Sequence, residues 1–465
     1  MELSRRSMLT AAGAVGLGIA TSQVPLEALA DPSVRPGGSG RLFGDLVDVG
    51  EISIPRGFRA EVISRVGSTP LLSGPGGRVI GVTPGNLDGT GCFRIGRDHR
   101  LVRNHELRAD AEFTVPAVRG TVYDPSQAGG CTVVHVDHRN RNRGEWVANS
   151  GTIRNCAGGQ TPWGSWLSCE EDTTKAGQVS GGVVAEKDHG YVFEVFPDAP
   201  HKQLPRPITA WGRAVWEGAA IEPTRAAALI TEDTGDGLLY RWTAPSGCRL
   251  GPGIAARFGP RDGSLFAAAV LAEDGSVYPH FASMTDADLD RPKRVRWVRH
   301  TGDRQAQETA LRYQWGVAEV TRHPKIEGCW SDGKGLWFTC SYANSAQLAK
   351  GASRTNSGMV FFYDFRAQTM TLKIYYPDGG FFDAPDNITI SPFGTVTIAE
   401  DGSDPNHLIS WTPRLGSQAI VRNNLDDGEW AGPVWDRDGR TLFGSVQARA
   451  TYAISGPWSR YLACR

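Results

Sequence analysis

The sequence predicts an all-β fold, a six-bladed β-propeller with insertions and an N-terminal arm. Two observations carry that expectation. Short apolar runs recur about every ten residues between turns, while helical periodicities are rare; 57 glycines and 28 prolines in 465 residues supply the punctuation. One unit also repeats loosely six times: a polar or acidic residue, a turn with Gly, Pro or Asp, a short apolar strand, and a second polar or acidic residue at its end. Propeller blades repeat radially, so equivalent residues of distant units converge at one end of a central channel.

In chain order, the first element is a leader. Ser4-Arg5-Arg6-Ser7-Met8-Leu9 precedes a mild apolar region from Ala11 to Ala20, and Ala28-Leu29-Ala30 offers a cleavage site before Asp31. Residues 1–30 thus read as a twin-arginine signal peptide, with the twin-arginine export machinery as partner and a periplasmic or extracellular destination. Residues 31–50 are Pro/Gly-rich and read as a flexible arm; residues 51–465 form a single propeller domain. The first, looser copy of the unit runs from Asp88 through Leu101-Val102 to Asn104, before His105 and Glu106. Clearer copies lead from Cys156 to Glu170, Glu217 to Glu232, Glu327 to Ser341, Asp386 to Glu400 and Glu429 to Gly444, each over 14 or 15 positions. Strands of the type G-x-apolar follow at Gly190–Val195, Gly237–Trp242 and Gly358–Tyr363, with another at His407–Trp411. Residues 244–312 read as an insertion, whose basic stretch Arg291 to Arg299 is expected to be solvated surface or a lid.

Composition narrows the function. A formal net charge of -1, from 49 Lys+Arg against 50 Asp+Glu, gives no electrostatic case for nucleic acid or an anionic membrane. Beyond the leader, no apolar run is long enough to span a bilayer. A monomer is expected. None of the eight cysteines lies in a C-x-x-C pair. Cys169, Cys329 and Cys340 sit in apolar strands and read as core residues or disulfide partners; Cys156, among small and polar residues, is the best ligand candidate.

Collected on one ring, the candidate ligands are Asn104, Glu106, Cys156, Glu170, Glu171, Glu217, Glu232, Asp233, Glu327, Asp386 and Asp401. So many carboxylates stay ionised together only when cations neutralise them. Oxygen ligands favour hard cations, Ca²⁺ first, whereas a thiolate prefers a softer ion such as iron or zinc, so two kinds of metal are expected in one site. Asp236-Gly237, Asp332-Gly333, Asp378-Gly379 and Asp438-Gly439 read instead as hairpin turns.

These residues bring the chain to a known family: it resembles the PhoX-type bacterial alkaline phosphatases. The resemblance rests on Asn155-Cys156-Ala157-Gly158-Gly159, Thr161-Pro162-Trp163-Gly164 and Cys169-Glu170-Glu171. It continues at Asn104-His105-Glu106, Gly212-Arg213 with Glu217, Thr231-Glu232-Asp233, Pro385-Asp386-Asn387 and Asp401-Gly402. It implies a six-bladed propeller whose calcium–iron cluster, Ca²⁺ with Fe³⁺, hydrolyses phosphate monoesters. Carried over, Cys156, Glu171, Glu217 and Glu327 are the iron side, and Asn104, Glu106, Glu170, Asp233 and Asp401 the calcium side. The catalytic set so implied is Lys325, Glu327 and Arg213. Three positions depart from the family pattern. Trp216 stands where a histidine is usual, Lys325 where an arginine is usual, and Gln447-Ala448-Arg449 where Gln-His-Pro is common. Lysine keeps the charge but loses the bidentate fork, which leaves Arg449 or Arg213 as substitutes at the phosphate. Two other functions are compatible with the same ring: a calcium-dependent lactonase-like hydrolase, which needs no Cys156, and a non-catalytic, calcium-stabilised binding propeller.

Overall fold

The computed structural model of the protein describes residues 43–198, 204–342, 357–402 and 405–462. The expected leader and most of the arm lie outside the described residues. Each repeat opens with an apolar strand: β1 (Leu87–Ile95), β2 (Asn155–Gln160), β3 (Trp216–Ile221), β4 (Ile326–Ser331), β5 (Pro385–Ile390) and β6 (Trp430–Trp435). Each pairs antiparallel with a second strand, in order Asp98–His105, Trp166–Glu170, Ala227–Glu232, Gly335–Cys340, Val396–Glu400 and Thr441–Val446. The third strands are Gly129–Val136, Val192–Val195, Gly237–Thr243, Gly358–Asp364, His407–Thr412 and Ala450–Ser455, the second to fifth of them close to the expected runs and the first and last not foreseen.

The first strands touch in a closed cycle: β1 against β2, β2 against β3, β3 against β4, β4 against β5, β5 against β6, and β6 back against β1. The arrangement is all-β and propeller-like. Glycine lets these strands approach. A Cβ at Gly159 on β2 would lie 1.8 Å from the carbonyl oxygen of Ala219 on β3. Between the sheets lie apolar clusters, the largest of which packs Trp211, Trp216, Tyr240 and Trp242 with Leu167 and Val192.

Two expectations change. The end of the arm is not free: Leu46–Asp48 pairs with Ile52–Pro55, which pairs with Gly416–Asn423. The strand Arg59–Arg65 then pairs with Ala450–Ser455, so the N-terminal part of the described chain completes the last sheet. The basic stretch of the insertion is not a lid: Arg291, Arg294, Arg296 and Arg299 face solvent as expected, but the last three do so from a paired strand. Lys293–Arg299 is a strand paired with Ser264–Val270 on one side and Thr369–Tyr376 on the other, joining the third and fourth units in one ten-stranded sheet. No helix among the described residues is long and apolar enough to cross a membrane.

Candidate metal centre

One backbone hydrogen bond recurs in every unit and builds the site. The N–H groups of Glu106, Glu171, Asp233, Ser341, Asp401 and Gln447 donate to the carbonyls of Asn86, Arg154, Val215, Lys325, Ala384 and Glu429, respectively, at 2.9–3.3 Å. Just inside it the ladder slips. In β1 to β5 the register shifts between the first and fourth residues; in β6 it shifts one residue later. A bulge bends its strand and re-aims a side chain. The second residues of β1 to β5 are Asp88, Cys156, Glu217, Glu327 and Asp386; in β6 the place holds Ala431.

Two tiers of side chains thereby converge, one from the bulges and one from the residues that follow the second strands, joined by Glu429 from the residue before β6. They form overlapping triads: Asp88–Glu106–Cys156, Cys156–Glu171–Glu217, Glu217–Glu327–Asp386 and Asp386–Asp401–Glu429, with ligand atoms within 4.8 Å of one another in each. Cys156, Glu217 and Asp386 each belong to two triads, so the groups are continuous.

The electrostatics of this chain of acids point to cations. Glu217 is 0% exposed, and neither of its carboxylate oxygens has a hydrogen-bond partner among the described residues. Burial, then Asp386, Glu171 and Glu327, push its carboxyl well up. Burial and Glu106 raise Asp88 to about 7, against the Gly89 N–H at 2.6 Å. Burial and Asp233 raise Glu327 to about 7 despite Lys325. The Cys156 thiol, 3.6 Å from Asp88 Oδ2, is pushed up by burial and by Asp88, Glu217 and Glu171. Burial with neighbouring acids raises Glu171, Asp386 and Glu429 as well. Without a counter-charge these groups hold protons; bound cations reverse that preference and require the deprotonated forms. Lys325 Nζ lies 2.9 Å from both Asp233 Oδ2 and Glu327 Oε1, and Arg154 bridges Glu106 and Glu171. Ser341 Oγ donates to Glu327, and Gln447 Nε2 donates to Glu106 at 3.1 Å and Asp88 at 3.3 Å. The donor set, one thiol among carboxylates with an unpartnered buried member, suits metal ions.

Of the expected ligands, Glu106, Cys156, Glu171, Glu217, Glu327, Asp386 and Asp401 gather here, and Asp233 stands at the edge with Lys325. Three do not. Glu170 accepts from Ile153 N, His189 Nδ1, Gly190 N and Tyr191 N within its own unit. Glu232 accepts from Tyr240 and Arg312. Asn104 donates to the carbonyls of Cys156 and Ala157 and accepts from Trp166 Nε1 and Cys131, bracing the Cys156 turn without joining it. The reason is the pleat: neighbours on a strand point oppositely, so Glu171 and Asp233 turn to the acids while Glu170 and Glu232 turn away. Arg213 is also reassigned. Its guanidinium donates to the carbonyls of Thr173, His189, Gln305 and Ala306, stapling two loops together. Arg449 pairs with Asp426, and Trp216 packs in the core against Tyr240. The described cysteines form no disulfide.

Sequence reasoning missed Asp88, Arg154, Glu429 and Gln447 as members of the site. Asp88 and Glu429 head the first and last copies of the repeat, so aligning the copies on their opening residues brings both forward.

The family model for alkaline phosphatase PhoX matches residues 43–449, a span that holds every residue of the acid chain. Among curated proteins nothing matches. Among solved structures, PhoX of Pseudomonas fluorescens in complex with vanadate, a transition state analogue, is similar with a TM-score of 0.65 and 18% identity, over 90% of this chain and 98% of that one. The gluconolactonase XC5397 of Xanthomonas campestris scores 0.38 at 11% identity, over 89% and 98%. Virginiamycin B lyase of Staphylococcus aureus scores 0.37 at 9%, over 86% and 99%. With its family matched across the whole acid site, the chain belongs to the alkaline phosphatase PhoX family and is a phosphatase.

Proposed function

We propose that the protein is exported by the twin-arginine route and hydrolyses phosphate monoesters at a calcium–iron cluster in the mouth of a six-bladed propeller. One observation carries the metal assignment: the Glu217 carboxylate, fully buried and unpartnered, sits where two acid triads meet. The closed cycle of β1 to β6 and the sixfold hydrogen bond support the blade count. The two triads that share Cys156 suit iron, because only they offer a thiolate; the oxygen-only triad Asp386–Asp401–Glu429 suits calcium. The paired Arg5-Arg6 and the apolar region behind it support the export route.

Cations bound there supply Lewis acidity towards phosphoryl oxygens and activation of water. The chain's own groups do the rest. Lys325, fixed between Asp233 and Glu327, sets a positive charge where phosphate oxygens gain negative charge in the transition state. Glu327, held by Lys325 and Ser341, keeps one orientation. Elemental analysis of the natively exported protein, with turnover of p-nitrophenyl phosphate in added calcium, tests the reading. Cys156→Ser is expected to lose iron, retain calcium and drop turnover by at least about 10²-fold. Full iron content in that variant would sink the ligand role. An iron-free wild type that opens lactones but leaves phosphate esters intact would replace the reading with the lactonase-like one.

A further inference from the structure

We propose that Arg154 is a substrate-contacting residue that grips the phosphoryl group together with Lys325, a role that rests on the phosphatase reading above. Arg154 and Lys325 occupy equivalent places, each two residues before a bulge residue, Cys156 and Glu327 respectively. Across the recurring positions Asn86, Arg154, Val215, Lys325, Ala384 and Glu429, they are the two cations. Both are left-handed, with φ of 46° and 59°, a conformation they share with Asn86 and Ala384 at the same place in the turn and that long side chains seldom adopt. The backbone enforces it. Arg154 N–H donates to Leu107 O at 2.9 Å and Lys325 N–H to Thr234 O at 2.8 Å, while their carbonyls accept from Glu171 and Ser341. Such conformations persist where neighbouring structure over-determines them and cluster at functional sites.

The turn lays both side chains over the acids while leaving them partly open to solvent, 28% exposed for Arg154 and 25% for Lys325. They hold different carboxylates, Arg154 those of Glu106 and Glu171 and Lys325 those of Asp233 and Glu327. Arg154 spends Nε and Nη2 on Glu106 and Glu171; Nη1 has no hydrogen-bond partner among the described residues. One end of the guanidinium therefore remains for a ligand. Lys325 is a compact point charge, whereas the remaining Nη1 of Arg154 gives a directed, charge-assisted N–H to a phosphate oxygen. Two cations beside the metal ligands favour a dianionic phosphate monoester over a singly charged diester.

The test uses the full, metal-loaded protein. Arg154→Gln and Arg154→Lys are assayed for inhibition of p-nitrophenyl phosphate turnover by inorganic phosphate, for KM and kcat, and for metal content. Arg449→Ala, which removes a surface ion pair outside the acid chain, serves as control. In Arg154→Gln the phosphate inhibition constant and KM are expected to rise about tenfold, the loss of one charge-assisted hydrogen bond, with metal content unchanged. Arg154→Lys is expected to fall between the two. Phosphate inhibition equal to that of the wild type overturns the proposal. So does loss of metal from both variants, which would make Arg154 a neutraliser of Glu106 and Glu171. Failure of the parent reading looks different: the wild type itself would be insensitive to phosphate.

Discussion

Glu217 states the problem the molecule has solved. A carboxylate with no donor, enclosed by Cys156, Glu171, Glu327 and Asp386, is a poor choice for stability alone. Removing its charge is therefore expected to stabilise the metal-free protein while ruining metal retention. In chelator-treated protein at pH 8, Glu217→Gln should unfold at higher urea, by about 1–3 kcal/mol, the cost of an uncompensated buried polar group. A lower unfolding midpoint would mean that the carboxylate has a partner in solution. The neighbouring glutamates teach the complementary lesson. Glu170 and Glu171 are chemically alike, yet one closes a network with His189 and the other faces Cys156 and Glu217. Only the pleat separates them.

The working element is the bulged start of each first strand. Its slip after the opening residue turns Asp88, Cys156, Glu217, Glu327 and Asp386 towards their counterparts from other units. That geometry needs β2 and β3 in near contact. Gly159→Ala would press a methyl into the Ala219 carbonyl and force the strands apart. The expected cost is about 1–3 kcal/mol, as for other overpacked sites, together with lower metal content because Cys156 and Glu217 lose register. Urea unfolding with elemental analysis reads both; a variant as stable and as metal-rich as the parent would contradict the close approach.

Across the whole molecule, acids from distant segments share one volume, and this makes stability depend on pH and metal together. Asp88 and Glu327 have folded-state values near 7, raised from 3.8 and 4.5. Between those limits the folded state binds more protons than the unfolded one, so stability falls as pH rises through the window. Taken singly, each displacement is worth at most about 4 kcal/mol, and coupling within the cluster makes the total less than their sum. Chelated protein is thus expected to be more stable at pH 5 than at pH 8, and calcium with iron should restore stability at pH 8. A chelated protein that gains stability with rising pH would refute the crowding. Closure is the other global property. The strand Arg59–Arg65 completes the sheet that begins with β6, and β6 touches β1. A chain starting at Val66 is expected to lose cooperative unfolding and to release its metal, followed by circular dichroism and elemental analysis; a sharp, single transition would show that the ring closes without that strand.

Much of this was legible in the chain itself. Alternating apolar runs and glycine-bounded turns are local properties, so the strands and their repetition could be read from spacing alone. Cys156 and the acids heading the later copies could be read from the same spacing. Side-chain direction at strand ends could not, because a one-residue bulge inverts it and leaves no local mark. That is why Glu170, Glu232 and Asn104 read as ligands from spacing alone while the structure turns them to other partners. The partners of Arg154 and Arg213, and the Asp233 partner of Lys325, lie 17 to 93 positions away, and only the tertiary fold brings them within hydrogen-bond reach.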